Sequence, residues 1–249
     1  MAKTYDIIME KFNKGEKQLF SLIDPLDYPS LDKAVATAKD AYEAGADVIL
    51  IGGSLGVQGE ALDTVAKRIK ENVSIPVVLF PGNIATVTRF ADAIYFMSLI
   101  NSRNPYWITR AQMLSAPVIK QMKIEMLSVA YIVVEPGGTV GWVGDVDIIP
   151  REKPKIAAAF AMAAEGMGFK FVLTDTGSNP KDGHIPLDFI TTVKKSISIP
   201  YIVGGGIRTP EQARNVVKAG ADIIQVGTAF ESDVKKEKMK QFVDAIKKK

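Results

Sequence analysis

Eight short apolar segments, most of them followed by a polar turn and a helical pattern, constrain the fold of this chain most strongly. The apolar segments are nearly continuous, which is typical of parallel strands that are covered on both faces. Strands that alternate with helices predict a parallel sheet, and eight such units in 249 residues predict a closed barrel. The predicted strands span residues 17–23, 47–51, 75–80, 93–97, 127–134, 169–173, 201–203 and 221–226.

No change in composition divides this alternation, so we predict one (β/α)8 TIM-barrel domain, of the α/β class, over residues 1–249. The predicted helices cover residues 3–13, 30–44, 59–71, 84–90, 104–126, 153–167, 186–196, a segment that begins at 209–211, and the last residues from 235. Residues 135–150 read as a long glycine-rich loop. A doubly wound open sheet is the alternative, but the turn after the first strand lacks a dinucleotide-binding fingerprint.

The last two predicted strands both end in glycine turns. Residues 201–203 lead into Gly204, Gly205 and Gly206, and the eighth strand leads into Gly227 and Thr228. Glycine turns at the carboxyl ends of parallel strands present backbone N–H groups, which are typical ligands of phosphate. The loops after strands 7 and 8 are the usual phosphate site of such barrels. The alternative is that these glycines serve only to form tight turns.

Composition narrows the function further. Apolar residues make up 47% of the chain and charged residues 24%, with no apolar run as long as a membrane span and no signal peptide, so we expect a cytoplasmic protein. The absence of cysteine excludes disulfides and thiolate metal sites. Residues 235–249 carry a net charge of +5 and the other residues sum to −2, and we interpret this basic segment as a solvated helix. Attraction to an anionic lipid surface is the alternative for this segment, and nucleic-acid binding is not expected.

Polar side chains follow the predicted strands, where a barrel has its catalytic face. They are Asp24, Ser54, Asn83, Ser98, Asn101, Tyr131, Glu135, Asp175 and Ser178. This one-sided distribution favours an enzyme or a ligand-binding protein. Asp24 and Ser54 end neighbouring strands and offer oxygen ligands that suit Mg²⁺, although Asp24 as a cap of its own loop is the alternative. His184 is the only histidine, which excludes a histidine-based triad and a multi-histidine zinc site.

Several segments form a recognisable set: Asp24-Pro25, Gly52-Gly53-Ser54, the segment 101–107 with Asn-Pro-Tyr-Trp, the segment 131–144 with Glu-Pro-Gly-Gly-Thr-Val-Gly-Trp, and the two glycine turns. Together they resemble the geranylgeranylglyceryl phosphate synthase family, and the segments 101–107 and 131–144 resemble its group II branch. The resemblance implies a TIM barrel and a Mg²⁺-dependent prenyltransferase. It implies transfer of geranylgeranyl diphosphate to the C3 hydroxyl of sn-glycerol 1-phosphate, with release of diphosphate. The product is the first ether of archaeal membrane phospholipids, so the protein would act in lipid biosynthesis.

The family pattern also assigns residues. The Mg²⁺ positions match Asp24 and Ser54. The glycerol 1-phosphate site matches Leu173, Thr174, Asp175, Thr176, Gly177, Ser178, Asn179, Gly204, Gly205, Gly227 and Thr228. The family commonly reads Tyr-Leu-Glu-Ala-Gly-Ser-Gly after strand 6, whereas this chain has the shorter carboxylate of Asp175 and lacks the tyrosine and the last glycine. The departure affects how the glycerol hydroxyls are held rather than the phosphate turns.

The chemistry needs a proton acceptor and an apolar groove. Asp175 and Glu135 are both candidate acceptors of the hydroxyl proton; we hypothesise Asp175, with Glu135 orienting the glycerol and Tyr131 also in the catalytic group. Tyr95, Phe96 and Trp107 are candidates for the wall of the prenyl groove, with ordinary packing as the alternative for each.

Two other functions remain open from the residues alone. A sugar-phosphate isomerase or epimerase would use a carboxylate pair or a lysine, but strand 5 offers Tyr131 where a second acid would stand. A phosphate-binding protein without activity is the other alternative. The resemblance further implies a homo-oligomer, a dimer or a hexamer, for which we expect the helix at 104–126 to form part of the interface. Peripheral contact with a membrane is a further expectation, since the prenyl substrate is a lipid.

Overall fold

The computed structural model describes residues 3–53, 56–231 and 236–247, and its centre is a closed barrel of eight parallel strands in sequence order. The strands are β1 (Gln18–Ile23), β2 (Val48–Ile51), β3 (Val77–Leu79), β4 (Ala93–Leu99), β5 (Glu125–Val133), β6 (Phe171–Asp175), β7 (Tyr201–Gly204) and β8 (Ile223–Val226). β8 pairs with β1 and closes the barrel. The predicted TIM barrel is therefore confirmed.

Helices surround the strands on the outside. They are α1 (Thr4–Asn13), α2 (Leu31–Ala44), α3 (Gly59–Asn72), α4 (Ala111–Gln121), α5 (Gly138–Val143), α6 (Pro154–Gly166), α7 (Leu187–Lys194), α8 (Pro210–Ala219) and α9 (Lys236–Lys247). Within the part of the chain that the structure describes, no helix is both long enough and apolar enough to cross a bilayer.

Local sequence signals explain where several helices begin and end. Ser30 caps α2 by accepting a hydrogen bond from the N–H of Lys33, and Gly45 ends the helix with a φ of 101°. Thr209 begins α8 with a capping box, because its side chain and that of Gln212 each accept from the other's backbone. These boundaries agree with the sequence prediction.

Two apolar layers form the core. Alternate strand residues point into the barrel, where Phe20, Leu50 and Phe171 are buried, and the others point outward against the helices. Helix α1 covers the amino-terminal end of the barrel, since Ile8 is buried in the inner layer and its carbonyl accepts from the side chain of Gln18. The amino-terminal end of the barrel is thus closed by α1.

The prediction of a helix at residues 84–90 is wrong. Residues 82–90 form turns instead, because Asn83 accepts a hydrogen bond from the N–H of Ala85 and Thr88 accepts from that of Phe90. Such side-chain bonds compete with helical backbone bonds, and the β-branched run from Thr86 to Thr88 disfavours a helix further. The barrel consequently has a gap in its outer layer after β3.

The loop predicted at 135–150 contains the short helix α5. Its glycines disfavour a helix by propensity, but they allow close packing. A Cβ on Gly141 would lie 2.9 Å from the side chain of Ile148, and one on Gly144 would lie 2.8 Å from the carbonyl of Val140. Tertiary contacts therefore decide the conformation of this segment.

Further boundaries of helices and strands also differ from prediction. The helix expected at 104–126 is a π-helical turn at Tyr106–Arg110 followed by α4, which ends at Gln121, so β5 begins earlier, at Glu125. Strand β6 extends to Asp175 rather than ending at residue 173, because Asp175 pairs in register with Val133 on one side and Gly204 on the other. This extension places Asp175 on a rigid strand instead of a loop.

Candidate active site

A cavity of about 990 Å³, including its open mouth, occupies the carboxyl-terminal end of the barrel. Its polar wall comes from the ends of β1, β5, β6, β7 and β8, and its apolar wall from the ends of β3 and β4 together with α5. The residues that border it include Asp24, Gly53, Phe80, Met97, Leu99, Trp107, Tyr131, Val140, Asp175, Gly177, Ser178, Asn179, Gly205, Gly206, Gln225, Gly227 and Thr228.

The two glycine turns lie side by side on this wall. Gly205 and Gly206 have φ values of 80° and 71°, a region that side chains rarely adopt. A Cβ on Gly206 would also lie 2.5 Å from the backbone nitrogen of His184, so the loop after β6 packs directly against the turn. Ser178 and Thr228 meet across the gap, with 3.5 Å between their hydroxyl oxygens. Backbone groups and hydroxyls thus converge at a point suited to an anion.

Asp175 is the buried carboxylate of the cavity. It is 5% exposed, and burial raises its pKa to about 6, although hydrogen bonds from the N–H of Gly177, the Tyr131 hydroxyl and the N–H of Thr176 oppose the rise. The N–H of Gly177 donates to Oδ1 at 2.6 Å. The carboxylate lies over Gly204, where a Cβ would stand only 2.7 Å from Oδ2. Gly204 therefore makes the room that Asp175 occupies.

Tyr131 stands beside Asp175 on the neighbouring strand. Burial, followed by the charge of Asp175, raises the pKa of Tyr131 well above its ordinary value, so the hydroxyl stays protonated and donates to the carboxylate. The ring packs against Phe80 with 5.7 Å between centroids. Tyr131 therefore fixes the orientation of Asp175 and borders the cavity itself.

Three carboxylates meet at the end of β1. Oxygens of Asp24, Asp27 and Glu231 lie within 4.8 Å of one another. Burial raises the pKa of Asp24 to about 7, with further contributions from Asp27, Glu231 and Asp175. Oδ1 of Asp24 is buried and has no hydrogen-bond partner among the residues that the structure describes. The donor set and the repulsion between its charges fit a hard divalent cation.

A second, apolar groove of about 470 Å³ runs outward from the cavity at the gap after β3. It shares Pro81, Met97, Leu99 and Trp107 with the cavity, so the two are continuous. Its other wall residues are mainly apolar and include Ile84, Val87, Ile94, Tyr95, Phe96, Ala111 and Ile119. The missing outer helix thus leaves an apolar channel that opens from the polar site.

Comparison with known proteins now identifies the family, since the model of the PcrB family matches residues 11–247. The chain belongs to the PcrB family. A geranylgeranylglyceryl phosphate synthase of Thermococcus sibiricus is 50% identical over 99% of this chain and 95% of its own length. That of Methanosphaera stadtmanae is 52% identical over 94% and 95%.

A solved structure gives the same family relation. The (S)-3-O-geranylgeranylglyceryl phosphate synthase of Thermoplasma acidophilum, in complex with its substrate sn-glycerol-1-phosphate, superposes with a TM-score of 0.94 at 37% identity. The superposition covers 99% of each chain. The resemblance inferred from the sequence motifs is thereby confirmed.

In this PcrB-family protein most of the predicted site residues meet at one cavity. Asp24, Tyr131, Asp175, Gly177, Ser178, Asn179, Gly205, Gly227 and Thr228 all border it, and Gly204 lies beneath Asp175. Leu173 points into the core. Thr174 points outward, where its hydroxyl bonds to that of Tyr201 at 2.7 Å, and Thr176 is buried behind the loop. Ser54 lies outside the described residues.

Glu135 is placed differently from the expectation. Its side chain is exposed and does not border the cavity, so the structure does not bring it to the acceptor. The strand ends at Val133, and the backbone then turns away, because the N–H of Glu135 donates to the carbonyl of Ile149 at 2.9 Å. The expectation that Glu135 orients the glycerol or accepts its proton does not agree with this placement.

The sequence reasoning missed three residues of the site. Asp27 and Glu231 join Asp24 in the carboxylate cluster, and Gln225 lies on the cavity wall. Asp27 stands three residues after Asp24 within the 3₁₀ turn, a spacing that points both carboxylates to one side. Glu231 follows the second glycine turn, so its position after β8 is the sequence signal that could have placed it in the site. Asn101, by contrast, has a structural role, since its carboxamide bonds to the backbone of Val133 and Asp147.

Proposed function

We propose that this protein transfers the geranylgeranyl group from its diphosphate to the C3 hydroxyl of sn-glycerol 1-phosphate, in a Mg²⁺-dependent reaction that releases diphosphate. The observation that carries the proposal is the junction of an anion-binding turn, a buried carboxylate and an apolar groove at one mouth. A phosphorylated acceptor and a lipid donor need these three environments side by side. The names of the relatives support the same reaction.

The acceptor phosphate binds at the turns formed by Gly205, Gly206 and Gly227, with the hydroxyls of Ser178 and Thr228 beside it. This position directs the glycerol chain into the barrel, where Asp175 is the buried carboxylate. Asp175 accepts the proton of the C3 hydroxyl as its oxygen attacks C1 of the prenyl chain. The bond from C1 to the diphosphate oxygen breaks, and diphosphate leaves with the electron pair.

Asp175 and Tyr131 have different roles in the proton transfer: Asp175 accepts the proton and Tyr131 orients Asp175. The pKa of Asp175, raised by burial to about 6, keeps the group ionised at neutral pH but brings its basicity closer to that pH. Tyr131 holds the carboxylate through its hydroxyl and loses no proton itself. Glu135 takes no part, because its side chain does not border the cavity.

Asp24 and Ser54 would hold the Mg²⁺. The unpartnered Oδ1 of Asp24 supports this assignment, and Asp27 and Glu231 offer further oxygens nearby. Bound there, Mg²⁺ would supply charge neutralisation for the departing diphosphate. The chain's own part is to hold the carboxylates together despite their repulsion, which a cation relieves.

The prenyl chain lies in the apolar groove after β3, with Tyr95, Phe96 and Trp107 on its wall. Burial of the chain there keeps water away from the reacting carbon. We further propose that the chain acts as a single domain in the cytoplasm, as a homo-oligomer that touches membranes only at their surface. Exposed Met113, Leu114 and Val118 on α4 support an interface at this helix.

The test is an extraction assay. The protein is incubated with radiolabelled sn-glycerol 1-phosphate and geranylgeranyl diphosphate, with Mg²⁺ or with a chelator. We expect label in the organic phase only when Mg²⁺ is present. Absence of Mg²⁺-dependent extractable label would refute the proposal.

A further inference from the structure

Gln225 is a buried polar residue that the mechanism above does not use. It lies on β8, points into the barrel and borders the cavity one inward position deeper than Gly227. Only 4% of the residue is exposed, and its side-chain oxygen has no hydrogen-bond partner among the described residues. Buried carboxamides are normally hydrogen-bonded, so this oxygen calls for a partner that the chain does not supply.

The flanking strands offer no side-chain donor to the oxygen of Gln225. In register, Gln225 pairs with Phe20 on β1 and with Gly204 on β7. The inward residues next to these, Leu22 and Ile202, are apolar as well. A buried side-chain oxygen that has no donor on the flanking strands, at the wall of a cavity, is accessible to a ligand.

The position of Asp175 indicates which part of the ligand lies close to Gln225. Asp175, Gly204 and Gln225 occupy one row of paired residues across β6, β7 and β8. Gly204 has no side chain, and the Asp175 carboxylate leans over it, so no side chain separates Asp175 from Gln225 in this row. A small ligand that binds at the glycine turns and reacts at Asp175 therefore lies beside Gln225.

We infer that Gln225 binds the carbon-2 hydroxyl of the glycerol phosphate acceptor. This inference rests on the proposed function. The phosphate is held by the glycine turns and the C3 hydroxyl by Asp175, which leaves the C2 hydroxyl to be satisfied within a buried site. A hydroxyl donates and accepts, and so does a carboxamide, so the two are matched whichever way the amide is turned. Gln225 is neutral, which suits a hydroxyl better than a phosphate.

The test combines a protein change with a ligand change. Wild-type protein and Gln225→Leu are titrated calorimetrically with sn-glycerol 1-phosphate and with 3-hydroxypropyl phosphate, which lacks the C2 hydroxyl. We expect Gln225→Leu to bind sn-glycerol 1-phosphate roughly tenfold more weakly than wild-type protein, the upper range for one neutral hydrogen bond. Both proteins should bind 3-hydroxypropyl phosphate equally. KM for the acceptor should rise while KM for the prenyl donor stays unchanged.

Matched variants separate binding from folding. Gln18→Leu replaces another buried glutamine on a barrel strand, at the opposite end, and should leave the affinity for both ligands unchanged. Gln225→Met keeps the length of the side chain and replaces Gln225→Leu if that protein does not fold. Equal weakening for both ligands, or none for either, would overturn the inference alone. Wild-type protein that binds no sn-glycerol 1-phosphate would overturn the proposed function as well.

Discussion

Replacement of Asp175 by asparagine should make the protein more stable and nearly inactive. The substitution keeps the shape of the side chain but removes a buried negative charge and the proposed proton acceptor. Activity should fall by a factor of about 10² to 10⁴, the usual contribution of a positioned general base. Few substitutions at a buried position increase stability, so the opposite signs of the two effects make the prediction specific.

The size of the stability gain follows from the pKa. Burial raises the pKa of Asp175 from 3.8 to about 6, and one pKa unit corresponds to about 1.4 kcal/mol, so the ionised form costs about 3 kcal/mol. Ionisation of Asp175 destabilises the folded protein, because the folded protein binds this proton more tightly than the unfolded chain does. The cost is absent below pH ~4, grows as the pH rises to ~6, and is complete above that. The difference between Asp175→Asn and wild-type protein should follow the same course.

Urea denaturation of the two proteins in parallel, in chelator and between pH 4 and pH 8, measures this difference. Asp222→Asn is the matched control, because Asp222 is also buried but has Lys17 at 3.1 Å and Lys194 at 2.6 Å. Removing the charge of Asp222, which pairs with both lysines, should lower the free energy of unfolding. If Asp175→Asn is no more stable than wild-type protein at pH 8, the inference that the buried charge of Asp175 has a net cost is wrong.

The other predictions concern the turns, the groove, the pH profile and one cap. Gly206→Ala should raise KM for sn-glycerol 1-phosphate at least about tenfold, because a Cβ there meets the backbone of Gly183; unchanged KM would exclude a phosphate site at this turn. Ser115→Phe should fill the groove and impair the C20 donor more than a C10 donor, measured as the ratio of their kcat/KM values; equal effects would place the chain elsewhere. The kcat of wild-type protein should increase with pH through about 6 as Asp175 ionises, and a flat profile from pH 5 to 8 would contradict its role as base. Thr209→Ala should lower the free energy of unfolding by about 1 kcal/mol with kcat unchanged, and no loss would mean that its capping box contributes nothing.

The barrel could be predicted from the sequence because its signals are local. Continuous apolar runs, the Ser30 and Thr209 caps and the Gly45 stop each act within a few residues. The errors arose where distant contacts decide the conformation. Helix α5 forms despite its glycines because Gly141 and Gly144 pack against neighbours, and β6 lengthens because both adjacent strands continue to pair with it.

The site was predictable to the extent that strand ends define it. Asp24, Asp175 and the glycine turns follow directly from the rule that loops at the carboxyl ends of strands carry function. Glu135 satisfies the same rule and was misplaced, since one turn of the backbone decides where its side chain points. Gln225 could not be recognised, because a glutamine within an apolar strand gives no sign of its partner until the flanking strands are known.

The most direct test of the reaction follows one oxygen atom. sn-Glycerol 1-phosphate labelled with ¹⁸O at the C3 hydroxyl is incubated with geranylgeranyl diphosphate, Mg²⁺ and the protein, and both products are analysed by mass spectrometry. Attack by the C3 oxygen held at Asp175 predicts that all of the label appears in the ether and none in the released diphosphate. Label in the diphosphate, or an ether without label, would contradict the account.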